Sequence, residues 1–78
     1  MKHSSIVQRT LASLKVGAET MIRHLALQRE LVKKLMITGI MEGKRVKILY
    51  KKSNGSIILQ LENNSIVIGK NVAQGILI

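Results

Sequence analysis

The side chains that could act as acids, bases or metal ligands are few in this sequence and lie far apart along it. In chain order they are His3, Glu19, His24, Glu30, Glu42, Tyr50 and Glu62. A catalytic site needs a nucleophile or an acid–base pair within reach of a second group. The spacing shows no triad, no paired carboxylates and no glycine-rich phosphate loop, so the sequence predicts a protein that is not an enzyme. The alternative requires a pocket that gathers His24 with a glutamate.

Two of these residues have specific structural expectations. His24 stands between Arg23 and Leu25 and is expected to be a half-buried strand residue with a hydrogen-bonded ring nitrogen. A role for His24 as a base or ligand is the less favoured alternative. Glu30 is expected on a helix surface, as a partner for Lys33 or Lys34 three and four residues later.

Metal and cofactor binding are not expected within one chain. Two histidines and four glutamates show no ligand spacing such as His-x-x-x-His or Glu-x-x-His. The absence of cysteine removes disulfides and thiolate sites, and it fits a reducing, cytoplasmic setting. No cofactor and no small-molecule substrate are predicted. A weak metal site shared between neighbouring copies is the remaining alternative.

A run of cations is the most distinctive feature. No acid occurs from Gly43 to Leu61, and five cations fall within nine residues of that stretch: Lys44, Arg45, Lys47, Lys51 and Lys52. On an alternating strand Arg45, Lys47 and Lys51 would point outward around Leu49. Three interpretations are open: a solvated strand face that discourages edge pairing, a contact for an acidic protein, or a nucleic-acid contact. The last is least favoured, because Tyr50 is the only aromatic residue on which a base could stack.

A second set of residues is apolar but lies on the same outward register. We expect the helix or the N-terminal segment to cover part of this set, and any exposed remainder would form a protein contact or a weak self-association face. The set comprises Leu49, Ile58, Val67 and Leu77.

One predicted helix and several short strands position the titratable, cationic and outward apolar residues named above. Residues 28 to 38 form an amphipathic helix with an apolar stripe, and Gly39 closes it in a left-handed conformation. Gly43 makes a tight turn, after which Val46, Ile48 and Tyr50 are taken as the inward residues of a strand. Upstream, residues 10 to 17 predict a short strand and a helical turn. A strand is preferred for residues 18 to 26, although one long helix from Glu19 to Lys34 is the alternative.

The second half predicts more strands. Asn54-Gly55 is a hairpin turn and Asn63-Asn64 a second turn, separating strands that begin near Ile57 and Ile66. A short 3₁₀ turn is predicted near residues 70 to 74, and Ile76–Ile78 closes the chain as a strand. The fold class is therefore mainly β, a small barrel of about five to six short strands with one inserted helix.

Size and charge limit the function further. The 78 residues predict one small domain, residues 10 to 78, preceded by a flexible tail, residues 1 to 9. The formal charge of +9 favours an acidic partner. No apolar run reaches the length of a membrane span and no signal peptide is recognised, so a soluble, cytoplasmic protein is expected.

One longer pattern combines these elements and resembles a known family. The pattern is Thr10-Leu11-x-x-Leu14-x-x-Gly17, Lys34-Leu35-x-x-Thr38-Gly39-Ile40-x-x-Gly43-x-x-Val46-x-Ile48, Asn54-Gly55-x-Ile57-x-Leu59-x-Leu61, Ile66-x-Ile68, Ala73 and Ile76-x-Ile78. It resembles the FeoA family, ferrous iron transport protein A, over almost the whole chain. The resemblance implies an SH3-like barrel and an accessory role in ferrous iron uptake, by binding the cytoplasmic part of the FeoB transporter. The resemblance also implies transition-metal ion binding, but only as a property of the family, with no ligand residue assigned in this sequence.

The sequence departs from the family pattern at three turns. Thr38-Gly39 stands where the family usually has Leu-Gly. Glu42-Gly43 stands where the family often has Pro-Gly, and Asn54-Gly55-Ser56 stands where it often has Gly-Asp-Pro. A similar barrel ends the iron-dependent repressors of the DtxR type, but this chain is too short to include their DNA-binding half. The expected partner surface is a groove beside the helix-to-strand turn, formed by Gly39, Ile40, Gly43, Lys44, Arg45, Lys47, Leu49 and Lys51.

Overall fold

The computed structural model describes residues 9–78. In chain order its elements are a 3₁₀ helix (Leu11–Ser13), β1 (Glu19–Met21), β2 (His24–Leu25), α1 (Arg29–Thr38), β3 (Arg45–Lys51), β4 (Ile57–Gln60), β5 (Ser65–Ile68), α2 (Lys70–Ala73) and β6 (Ile76–Leu77). The predicted tail and His3 lie outside the described residues, except for Arg9, whose carbonyl accepts a hydrogen bond from the Ile78 amide at 2.9 Å.

Six short strands form two antiparallel sheets, which confirms the mainly β prediction. One sheet has the order β1-β3-β4-β5, and the other pairs β2 with β6. The chain passes from the first sheet to the second between β1 and β2. There the Ile22 amide donates to the Lys44 carbonyl and the next amide, Arg23, donates to the Leu77 carbonyl, both at 2.8 Å. The barrel is thus built from two sheets that share one bent segment.

The helix α1 lies where the apolar stripe predicted it, and the chain breaks before it as preferred. β2 ends at Leu25 and α1 begins at Arg29, so the long-helix alternative is wrong. At the other end Gly39 adopts φ 101° and the Ile40 amide donates to the Leu35 carbonyl at 3.0 Å. This is the Schellman arrangement, in which a left-handed residue satisfies the last carbonyls of a helix. The helix therefore ends at a fixed place and turns back toward β3.

The core is entirely aliphatic. Among residues 9–78 no polar side chain is buried, and the inner face of the four-stranded sheet meets side chains from α1, the 3₁₀ helix and β6. The buried side chains are Leu11, Ile22, Leu25, Leu35, Ile40, Val46, Ile48, Ile57, Leu59, Leu61, Ile68, Ala73 and Ile76. Without Phe or Trp to fill it, the core needs every one of these short side chains to face inward.

A bulge in β3 overturns part of the predicted alternation. Ile48 pairs with Leu59, but the next partner of β4, Ile58, pairs with Tyr50, so Leu49 is an extra residue in β3. An extra residue exchanges the two faces of the strand beyond it. The prediction that Tyr50 points inward is therefore wrong, since its side chain is 56% exposed. The prediction that Lys51 points outward is also wrong, since it pairs with buried Ile57 on the core side.

Two helical turns match the remaining expectations. Residues 10 to 17 contain an isolated bridge between Thr10 and Leu77, followed by the 3₁₀ helix. A helical turn is present near residues 70 to 74 as predicted, but it is the short α-helix α2 and not a 3₁₀ turn, because the amides of Ala73 and Gln74 donate to the carbonyls of Gly69 and Lys70 four residues earlier. Within residues 9–78 no helix has both the length and the apolar character that crossing a bilayer would demand.

We predict that Gly39→Ala destabilises the domain by about 1–2 kcal/mol, because an L-residue is strained in the left-handed region. A Cβ at Gly39 would lie 3.7 Å from the Leu61 side chain, an ordinary contact, so the loss is conformational and not steric. Gly39→Asn is the matched control and should lose less, because Asn tolerates this region best. Urea unfolding of the three proteins checks this, and equal losses for Ala and Asn would contradict it.

Candidate functional site

A groove of about 720 Å³ lies beside the turn that connects α1 to β3. One side is the end of α1 with the following loop, and the opposite side is the turn between β4 and β5. The start of β3 lies between these two sides. The lining residues are Glu19, Thr38, Gly39, Gly43, Lys44, Arg45, Val46, Lys47, Gln60, Leu61, Glu62, Asn63 and Asn64.

Backbone hydrogen bonds fix the loop that carries the cations of the groove. Gly43 has φ 88°, a conformation that favours glycine. Its amide donates to the Ile22 carbonyl at 2.8 Å, and the Lys44 carbonyl accepts from the Ile22 amide at 2.8 Å. This pair of bonds attaches the loop to the segment between β1 and β2. The side chains of Lys44 and Arg45 therefore extend from a held backbone and not from a free loop.

The groove has an apolar floor and a rim of mixed charge. Val46 and Leu61 are 3% and 8% exposed and supply the floor. The rim carries three cations, Lys44, Arg45 and Lys47, as expected from the sequence. It also carries Glu19, which lies opposite Lys47 in the β1–β3 register, and Glu62. These two carboxylates were not predicted as part of the site, because only the pairing of distant strands brings them there.

The structure assembles five of the eight residues that were expected to form the partner surface. Gly39, Gly43, Lys44, Arg45 and Lys47 all line the groove.

The other three have different positions. Ile40 is fully buried and supports the end of α1 from within. Leu49, 39% exposed, lines a shallow depression that adjoins the groove at the β4–β5 turn. Lys51 lies elsewhere, and its Nζ donates to the carbonyls of Ala12 and Leu14 at 3.0 and 2.9 Å. Lys51 therefore holds the 3₁₀ helix against the sheet and does not line the groove.

His24 meets a glutamate, but not in a pocket. Its Nδ1 lies 3.0 Å from Oε2 of Glu42, so the ring nitrogen is hydrogen-bonded as expected. Both side chains are exposed, at 59% and 62%, so the expectation of a half-buried histidine is wrong. Neither residue lines the groove. Within residues 9–78 no group of three His, Cys, Asp or Glu side chains comes together around a common point. The pair is a surface hydrogen bond, and Glu30 forms a surface ion pair with Lys33 at 4.0 Å.

Comparison with known proteins identifies the family from residues 9–78, which match the FeoA domain. The chain belongs to the FeoA family. This is a family of small accessory proteins associated with ferrous iron transport. The mainly β architecture described above, with its inserted helix, is the SH3-like fold of FeoA. No curated protein is significantly similar to the chain.

Solved FeoA structures have the same fold. The FeoA protein of Chlorobium tepidum is 25% identical with a TM-score of 0.80, over 87% of this chain and 66% of that one. The iron(II) transport protein A of Clostridium thermocellum is 28% identical with a TM-score of 0.80. The match covers 87% of this chain but only 43% of that one, so this chain spans less than two thirds of either relative.

A manganese-dependent transcriptional repressor shares the fold alone. It is 18% identical with a TM-score of 0.83, and the match covers 91% of this chain and 40% of the repressor. The FeoA fold thus also forms part of a larger regulatory protein.

We predict that Lys51→Met destabilises the domain by about 1–3 kcal/mol, because two partly buried carbonyls lose a charged hydrogen-bond donor. Lys52→Met is the matched control, since the Lys52 side chain is exposed. It should change the free energy of unfolding by less than about 0.5 kcal/mol. Thermal unfolding of both variants provides the measurement, and equal effects would show that the bonds to Ala12 and Leu14 contribute nothing.

Proposed function

We propose that the protein is a non-enzymatic, cytoplasmic accessory of ferrous iron uptake, and that its groove binds the cytoplasmic part of a FeoB-type transporter. Membership of the FeoA family supports the process. The observation that supports the proposed contact is the groove itself, in which an apolar floor is bordered by three cations and two glutamates, and backbone hydrogen bonds fix the loop that carries Lys44. Such a surface offers recognition and no reactive centre.

The charged rim and the apolar floor would contribute to binding in different ways. Exposed charges at the rim of an interface mainly set the association rate and its salt dependence. Val46 and Leu61 are already almost fully buried, so the apolar area removed from water would come mainly from the partner side chain that fills the groove, and this burial would mainly set the dissociation rate. The small floor suits one apolar anchor residue, with carboxylates of the partner placed around it.

The two glutamates of the rim would add selectivity. A partner carboxylate opposite Glu19 or Glu62 would be repelled, whereas one opposite Lys44 or Arg45 would be attracted. Specificity often comes from such repulsive contacts as much as from attractive ones. The partner is therefore expected to present acidic groups opposite Lys44 and Arg45, and neutral or basic groups opposite Glu19 of β1 and Glu62 of the β4–β5 turn.

We predict that the triple change of Lys44, Arg45 and Lys47 to Glu weakens binding to the transporter's cytoplasmic domain by at least about tenfold. The matched control changes Arg29, Lys33 and Lys34 to Glu on the exposed side of α1. Both variants lower the formal charge equally, from +9 to +3. Biolayer interferometry at several salt concentrations measures the affinity, after circular dichroism has shown that both variants fold.

Two results would contradict this contact. If both triple variants lose affinity equally, overall charge and not the groove determines binding. If the unmodified protein does not bind the domain, the proposed partner is wrong.

A second candidate function, nucleic-acid binding, is favoured by one observation. The bulge places Tyr50 on the outer face of the sheet, 56% exposed, with Lys47 and Lys52 on the same face. An exposed aromatic ring between cations can stack a base. This function predicts binding to generic single strands at about 50 mM salt that weakens steeply as salt rises. Absence of binding to a labelled oligonucleotide under that condition would eliminate it.

A further inference from the structure

A row of apolar side chains crosses the outer face of the four-stranded sheet. Tyr50 of β3 lies directly opposite Ile58 of β4, and Ile58 lies directly opposite Val67 of β5. Directly opposed residues of antiparallel strands project from the same face and contact one another. Tyr50 and Val67 are 56% and 55% exposed, and Ile58 between them is half-buried. The three residues, called here the outer row, are covered by no element within residues 9–78.

Cations stand on both sides of the outer row. On one side Lys47, Gln60 and Ser65 form the next row of the same face. On the other side Lys52 follows Tyr50 by two residues on the outer face, and its amide donates to the Ser56 carbonyl at 2.8 Å. The stem of Lys70 lies over Gly55 in the same hairpin. The outer row is therefore an apolar line between a lysine on one side and two lysines on the other.

We propose that the outer row is a docking surface for an acidic amphipathic helix of a protein partner. Neighbouring strands are about 4.8 Å apart, so the row spans about 10 Å from Tyr50 to Val67. A helix rises about 10.5 Å over seven residues, so apolar side chains at i, i+3 or i+4, and i+7 match this length. Rows of one strand face are about 7 Å apart, which places the lysines beneath the flanks of such a helix. Glutamates on both flanks would then face Lys47 on one side and Lys52 on the other.

Charge and chemistry favour this occupant over two others. A second copy of this chain would bring its own lysines against these lysines, and each copy carries +9. A nucleic acid would find cations but only one aromatic ring, and Ile58 and Val67 offer a base no hydrogen bond. A helix with an apolar stripe and acidic flanks would contact the outer row with its stripe and the lysines on both sides with its carboxylates. The outer row itself has no residue in common with the groove, and only Lys47 and Gln60 of its border also line the groove, so the proposal does not depend on the transporter contact.

Two synthetic peptides of identical composition test the proposal. The striped peptide places leucines on one helical face with glutamates on both flanks, and the scrambled peptide distributes the same leucines around the helix. Fluorescence anisotropy of labelled peptide measures affinity, and amide chemical shifts locate the contact. We expect the striped peptide to bind at least about tenfold more tightly than the scrambled one. The shifts should centre on Tyr50, Ile58 and Val67.

Substitutions in the protein test the same contact. Val67→Lys places a charge in the row and should weaken the striped peptide by at least about tenfold. Ile37→Lys adds the same charge at an exposed position of α1, 86% exposed, and should leave affinity within about twofold. Lys52→Glu should weaken binding without altering the row.

Several outcomes would overturn the proposal. Equal affinity for the two peptides would mean attraction by charge alone. Shifts centred on Gly43 to Lys47 would place the contact in the groove. No binding of either peptide, with or without binding of a single-stranded oligonucleotide at Tyr50, would reject an acidic helix as the occupant.

Discussion

The register of β3 is the constraint on which the rest of this structure depends. β3 is one of the two inner strands of the larger sheet, paired with β1 on one side and β4 on the other. Before its bulge, Val46 and Ile48 point into the core while Arg45 and Lys47 border the groove. After the bulge, Tyr50 points out to the outer row while Lys51 points in and binds the carbonyls of Ala12 and Leu14. One extra residue thus decides which side chains are available for recognition.

The aliphatic core explains why this register is held firmly. A slip by one residue would move Val46 and Ile48 to the solvent side and bring cations into the core. Burial of unpaired cations is far more costly than exposure of apolar side chains. The Schellman end of α1 adds a second constraint, because it directs the chain from Ile40 into the loop before β3. The backbone amide and carbonyl of Ile22 both form hydrogen bonds with that loop. The backbone of the groove is consequently attached to the packed fold by hydrogen bonds.

Features encoded by neighbouring residues could be predicted from the sequence, and features that depend on distant pairing could not. The apolar stripe of α1, its closure at Gly39 and the hairpin at Asn54-Gly55 each depend on a few consecutive residues, and all three are present. The bulge at Leu49 arises from the match between β3 and β4, for which an alternating sequence gives no sign.

The same distinction applies to the site. Lys44, Arg45 and Lys47 follow directly from their place after Gly43, so the sequence could assign them to the groove. Glu19 reaches the same groove only through the pairing of β1 with β3. The contact of His24 with Glu42 joins residues 18 positions apart. The residues next to His24 do not indicate this contact, and neither do the residues next to Glu42.

The most direct test of this account is a measurement of side-chain proximities across β3 by NMR. The bulged register predicts nuclear Overhauser effects from the Tyr50 ring to the methyl groups of Ile58, together with contacts between the Lys51 side chain and residues of the 3₁₀ helix. If the Tyr50 ring instead showed effects to the core methyl groups of Ile57 or Leu59, the strand would alternate without a bulge. The outer row and the inward role of Lys51 would then both be contradicted.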